Sequence, residues 1–119
     1  MINTRDITEA DVPIVVNLAR QAHEESNYSH LIFDHEKVAE LARSMLPDPT
    51  VRFCRVAGKN NEIFAMYAGF IAPYIFSYDL MASDLLLFVE PSRRGTMAAA
   101  KLMKEFEAWA FDNGALEIR

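Results

Sequence analysis

The stretch from Leu85 to Phe111 constrains the fold of this chain more than any other. Leu85-Leu86-Leu87-Phe88-Val89 is an apolar run of strand length, and Pro91-Ser92-Arg93-Arg94-Gly95 interrupts it with turn chemistry. Behind the turn, Ala99, Leu102, Met103, Phe106, Trp109 and Ala110 recur at helical spacing. Lys101, Lys104, Glu105 and Asp112 fall largely on the opposite face. Asn113-Gly114 is a helix stop, and Ala115 to Arg119 reads as the first residues of another strand.

A strand running through a tight turn into a helix is suited to bind an anion. The first N–H groups of a helix lack intrahelical acceptors, and the helix dipole places partial positive charge there. Gly95 and the alanines at 98 to 100 leave the backbone approachable, Arg93 and Arg94 bring cationic charge, and Thr96 offers a hydroxyl. Side-chain bulk is low where a pyrophosphate would need room. The competing reading is a solvated turn before an alanine-rich face that packs closely on a sheet, and the residues alone leave both open.

The rest of the chain supplies a mixed α+β framework. Ile2 to Ile7 reads as a first strand. Thr8-Glu-Ala-Asp11 resembles a capping box with Asp in place of Glu, and opens a helix to about Glu25 with Val12, Val15, Val16, Ala19 and Ala22 on one face. Ser26 to Phe33 is a loop. Asp34 caps a second helix with Val38, Leu41, Ala42 and Met45 inward, ended by Pro47 and Pro49. Val51 to Ala57 is strand-like, Gly58-Lys59-Asn60-Asn61 is a hairpin turn, and Glu62 to about Tyr74 returns as a strand buried on both faces. Tyr74 to Met81 connects to a strand over Ser83 to Val89. The order is β-α-α-β-β-β-α-β, with no repeat, linker or low-complexity tract, and 119 residues suit a single domain, 1–119.

Composition limits the function classes. With 51% hydrophobic and 24% charged residues the chain can bury a core. A net charge of −5 argues against nucleic acid and suits a cationic partner such as an amine. The single cysteine, Cys54, fits a reducing compartment and reads as a small buried thiol rather than a nucleophile. No signal peptide is visible and no apolar run approaches the roughly 20 residues that span a bilayer, so a cytoplasmic protein is expected, with no membrane partner. His23, His30 and His35 lack a metal-ligand spacing, so no metal is expected. His23 is expected at the surface, and Met97 and Met103 in the core.

Val89-x-Pro91-x-x-Arg94-Gly95, followed by small residues and Leu102, resembles motif A of the GNAT superfamily of N-acetyltransferases. The family signature Arg/Gln-x-x-Gly-x-Gly/Ala maps onto Arg94-x-x-Met97-x-Ala99, with Met97 in place of the middle glycine. The resemblance extends over the whole chain. Ile7-Thr8-x-x-Asp11 is similar to the family's first strand and helix, the hairpin of residues 51–74 with Gly69 to its second and third strands, and Phe106-x-x-Trp109-Ala110-x-x-x-Gly114-Ala115 to its helix end and fifth strand.

What the resemblance implies is a GNAT-like, mostly antiparallel central sheet flanked by helices, and transfer of an acetyl group from acetyl-CoA to a primary amine by direct attack. The backbone of Leu87, Phe88 and Val89 would pair with the pantetheine arm. Arg93, Arg94, Gly95, Thr96, Met97, Ala98 and Ala99 would hold the pyrophosphate. A backbone N–H in the middle of the fourth strand would face the thioester oxygen. Asp84 is the candidate general base, against the plainer reading of a strand-end carboxylate facing water, with Glu62, Tyr78 and Asp79 as weaker options. The loop Ser26 to Phe33 would face the acceptor, a small-molecule or peptide amine, with Tyr28 and His30 as contacts and Phe33 packed beneath.

The family fold continues past the equivalent of Arg119 with a fourth helix, which often carries a tyrosine acid, and two more strands. A C-terminally truncated acetyltransferase is therefore expected. Its alternatives are a chain whose sheet is completed by a second copy, and a non-catalytic GNAT-like binding or inhibitor module that engages a protein partner.

Overall fold

The structure, a computed structural model, describes residues 1–46 and 48–119. Five strands form one sheet in sequence order: β1 (Asn3–Asp6), β2 (Arg52–Lys59), β3 (Glu62–Pro73), β4 (Leu80–Val89) and β5 (Ala115–Ile118). The first four pair antiparallel, and β5 joins β4 in parallel. Helices α1 (Val12–Glu25) and α2 (His35–Ser44) cover one face, and α3 (Ala98–Asp112) covers the other. The fold is thus the mixed α+β arrangement expected from the sequence.

Each element follows from local chemistry. The Thr8 N–H and hydroxyl both donate to the Asp11 carboxylate, at 2.7 and 3.0 Å, which closes the chain into α1. Arg5 from β1 also grips Asp11 through both terminal nitrogens. This guanidinium and the Thr8 donors hold the Asp11 carboxyl well below the usual carboxylate range against the opposing effect of burial. The Asp34 side chain accepts from the Lys37 N–H at 3.1 Å and starts α2. Asn60 and Asn61 take positive φ values of 53° and 65°, as a two-residue hairpin turn between β2 and β3 demands.

The sheet separates two cores. Val12, Val15, Leu18, Val56, Met66 and Phe88 fill the α1/α2 side, and Phe53, Phe64, Tyr67, Leu102 and Phe106 fill the α3 side. Gly69 lets the Phe106 ring lie directly on β3, since a Cβ there would overlap the ring and crowd the Ser83 carbonyl. Phe106 in turn meets Tyr67 and Phe53 at centroid distances of 4.6 and 5.1 Å.

Several expectations are corrected. β4 begins at Leu80, three residues before the expected Ser83, because the Tyr74 N–H donates to the Asp79 carbonyl and closes the preceding loop early. α2 ends at Ser44, ahead of both prolines, and Pro47 lies outside the described residues. Leu41 is half-exposed because Ala39, Ala42 and Met45 take the inward positions. Glu105 turns toward the sheet, where Thr4 Oγ1 and Arg55 donate to it. Met97 and Met103 are 68% and 49% exposed rather than core residues, because Ala98, Leu102, Phe106 and Ala110 face the sheet. His23 is half-buried, with Nε2 enclosed and its ring 5.5 Å from that of Phe33, because the loop after α1 folds back over it.

No helix among the described residues is long and apolar enough to cross a membrane.

Candidate functional site

The site is prepared by an irregularity in β4. Leu86 stands opposite Ala68 and Asp84 opposite Gly69, so Leu85 is an extra residue in the ladder. The bulge changes which faces the side chains meet. Ahead of it Leu80 and Ala82 join the α3 core. Beyond it Leu86 and Phe88 turn to the α1/α2 core, while Leu87 and Val89 join the α3 core. β5 accompanies β4 only over Leu80 to Ala82, and the last bond of this pair runs from the Arg119 N–H to the Ala82 carbonyl at 2.7 Å. Among the described residues, the stretch from Asp84 to Val89 pairs with β3 on one side and with no strand on the other.

An open groove of about 560 Å3 runs along this free edge. Leu86, Leu87, Phe88 and Val89 form one wall, the end of α1 with Ala22, Glu25 and Ser26 another, and Arg94 with Ala99 closes the end. The turn that delivers Arg94 is a short 3-10 segment, Pro91–Arg93, in which the Arg93 N–H donates to the Glu90 carbonyl at 2.9 Å. Gly95 follows with φ 94°, and no atom would lie within 4 Å of a Cβ there, so backbone conformation rather than crowding calls for glycine. Thr96 Oγ1 accepts from the Ala98 N–H at 3.3 Å, and α3 starts at Ala98 with Met97 as the flanking residue.

Arg94 is held in the groove by three contacts. Its Nε donates to the Val89 carbonyl at 3.0 Å, its guanidinium lies 5.5 Å from the Phe88 ring centroid, and one terminal nitrogen donates to Glu25 at 2.7 Å. Nothing in the sequence pattern singled out Glu25. Arg93 goes elsewhere: it donates to Glu62 and lies 4.9 Å from the Phe64 ring centroid, outside the groove lining. Of the 94–99 turn, Arg94 and Ala99 therefore line the groove, Gly95 to Ala98 do not, and Arg93 pairs with Glu62 outside it.

Asp84 is exposed at the bulge, on the same face as Ala82 and α3. Burial raises the Tyr67 phenol pKa, and the charges of Asp84 and Glu107 raise it further, which places all three in one electrostatic neighbourhood. Of the weaker base candidates, Glu62 is committed to Arg93, Tyr78 is exposed, and the Asp79 carboxylate accepts from the Ser77 hydroxyl at 3.0 Å. Tyr28 and His30 are exposed on the loop between α1 and α2, and the groove takes Ser26 from that loop rather than either of them. Phe33 is partly buried against the α1/α2 core. Cys54 is buried and its thiol is pushed up to about 12, chiefly by burial, so it is held in the protonated, non-nucleophilic form. Among the described residues no group of three or more His, Cys, Asp or Glu side chains is placed to hold a metal ion.

No family model matches the sequence, and no curated protein matches it. Solved structures do match its shape. An integron cassette protein from the mobile metagenome of Cole Harbour salt marsh has a TM-score of 0.84 at 17% identity, over 97% of this chain and 74% of that one. A predicted acetyltransferase from Clostridium acetobutylicum, solved with acetyl-CoA, has a TM-score of 0.79 at 20% identity, over 100% of this chain and 79% of that one. An aminoglycoside acetyltransferase from an uncultured soil metagenomic sample, in complex with sisomicin, has a TM-score of 0.71 at 18% identity, over 99% of this chain and 75% of that one. With this sheet order, the bulged fourth strand and the turn into α3, the chain has the GNAT-type acetyltransferase fold.

Proposed function

We propose that this chain transfers an acetyl group from acetyl-CoA to a primary amine by direct attack. The observation that carries this reading is the free edge of β4 running into the 94–99 turn, with Arg94 facing the same groove. An unpaired strand edge is a template for the amides of a pantetheine arm, here along Leu87, Phe88 and Val89. The turn offers what a pyrophosphate needs: a glycine at positive φ, the first N–H groups of a helix, of which that of Ala98 is engaged by Thr96 Oγ1, and a guanidinium. Met97 departs from the family signature without blocking the turn, because its side chain is directed into solvent. The neighbour solved with acetyl-CoA supports the choice of donor, and the one solved with sisomicin supports a small-molecule amine as acceptor. A net charge of −5 also suits a cationic acceptor.

In the chemistry that follows, the amine nitrogen attacks the thioester carbon beside the middle of β4. A C–N bond forms, the C–S bond breaks with its electron pair going to sulfur, and the nitrogen gives up a proton. Asp84 is the residue we assign to take that proton, through water, from its exposed position at the bulge. An unpaired N–H of β4 faces the developing oxyanion.

Calorimetric titration with acetyl-CoA and with CoA tests the reading. Both are expected to bind, and Arg94→Glu, which removes a charge-assisted contact and adds repulsion, is expected to weaken both more than about tenfold. Equal affinity in that variant would move the phosphate site elsewhere. No binding by the unaltered chain would overturn the reading.

A further inference from the structure

A second cavity adjoins the groove at the bulge. It is bounded by α1, α2 and strands β2 to β4 and open at its rim, has a volume of about 70 Å3, and shares Leu86 with the groove. Every residue lining it is apolar or, at Cys54, a protonated thiol; Ala42, Met45, Met66 and Ala68 form its interior. Its rim is apolar and uncovered, since Leu41 is 52% and Leu85 is 47% exposed. Leu85 is the extra residue of the bulge, so it and Leu86 both line this cavity instead of alternating across the sheet. An apolar hollow of this kind offers water no hydrogen-bond partners and forfeits dispersion contacts along its walls. Two half-exposed leucines at its mouth add uncovered apolar surface at the same place.

We propose that this cavity receives the alkyl part of the donor's acyl group, so that the preferred donor is a short-chain acyl-CoA longer than acetyl, with about four carbons. The inference rests on reading the groove as the CoA site, because the thioester then lies beside the middle of β4, where Leu85 and Leu86 stand. The volume sets the length. A water molecule's share of liquid volume is about 30 Å3. A methylene is of similar size, so 70 Å3 holds about two beyond the acetyl methyl. A larger chain would have to displace Ala42, Met45 or Met66, all buried.

The test is calorimetry of the unaltered chain with CoA, acetyl-CoA, butyryl-CoA and hexanoyl-CoA. Each methylene that enters an apolar site tightens binding by about fourfold. Butyryl-CoA is therefore expected to bind about fifteenfold tighter than acetyl-CoA, with no further gain for hexanoyl-CoA. Ala42→Leu, which fills the cavity from α2, is expected to bring the butyryl-to-acetyl ratio close to one. Leu41→Ala, at the half-exposed rim where folding is least disturbed, is expected to extend the gain to hexanoyl-CoA. If CoA and acetyl-CoA bind but butyryl-CoA binds no tighter, the inference is overturned and the CoA site stands. If none of the four binds, both fall. If the chain-length gain appears for methylamine through butylamine as acceptors, and not among the thioesters, the cavity belongs to the acceptor and the assignment is wrong.

Discussion

Arg94 enters its groove already engaged. Glu25 holds its guanidinium at 2.7 Å on the groove surface, so under the proposed function a phosphate ligand must displace or tolerate a carboxylate. Exposed ion pairs are worth little, and Glu25→Gln is accordingly expected to tighten CoA binding by only about threefold, measured by titration at low salt. Weaker binding in that variant would mean that Glu25 orients Arg94 rather than competing for it. Asp11 carries a different burden. Its carboxyl is held far below its unfolded value by Arg5 and Thr8. The unfolded chain therefore binds a proton there before the native chain does, and the stability Asp11 contributes is complete above about pH 4 and declines as the pH falls below it. Asp11→Asn is expected to cost about 2 kcal/mol at neutral pH and to flatten the acid limb of a denaturant-unfolding series. At this scale the sequence was legible where a residue's role is local. Gly95 and Arg94 follow from turn chemistry and charge. Glu25 does not, because its partner is 69 positions away in the chain. His23, Met97 and Met103 were misread for a related reason: helical spacing assigns a stripe, but which residues at its margins are covered depends on the loop or strand laid against them.

The elements were legible where their own residues specify them. Asp34 starts α2, Asn60-Asn61 turns β2 into β3, and Asn113-Gly114 ends α3, each through a bond or dihedral made within a few positions. The bulge in β4 is of another kind. Leu85-Leu86-Leu87 is a featureless apolar run, and only the register against β3 shows that one of the three leucines is supernumerary. The start of β4 at Leu80 was likewise set by a loop closure, not by propensity. Gly69, beside the bulge, connects the strand to its helix. Gly69→Ala is expected to lower stability by about 2 kcal/mol, because the methyl must push the Phe106 ring out of the α3 core while the Ser83 carbonyl blocks any retreat of the strand. Thermal unfolding measures this directly, and an unchanged midpoint would show that Phe106 has room to shift.

Across the whole molecule, the succession of strands and helices could be read along the chain, whereas the mostly antiparallel sheet was implied by the resemblance to a known family. Among the described residues β5 pairs with β4 only over Leu80 to Ala82 and the groove lies along β4 beyond it, a relation between two strands joined through α3 that no segment announces by itself. The same holds for the apolar cavity, whose walls come from α1, α2, β2, β3 and β4. The bulge also makes β4 behave like a coding frame. One residue is inserted out of phase, and the side chains on either side of it alternate as if it were absent. Deleting Leu85 would close that frame rather than shift it: Leu86 and Phe88 would still face the α1/α2 side, and Leu87 and Val89 the α3 side, now in regular alternation with Asp84. A deletion at this position is therefore expected to keep a cooperative thermal transition, and loss of that transition would show that the bulge itself is needed for folding. Removing one residue from the exposed 74–79 loop should likewise leave a transition intact. Variation in length would then be tolerated in the middle of a strand that looks, letter by letter, as though it had no residue to spare.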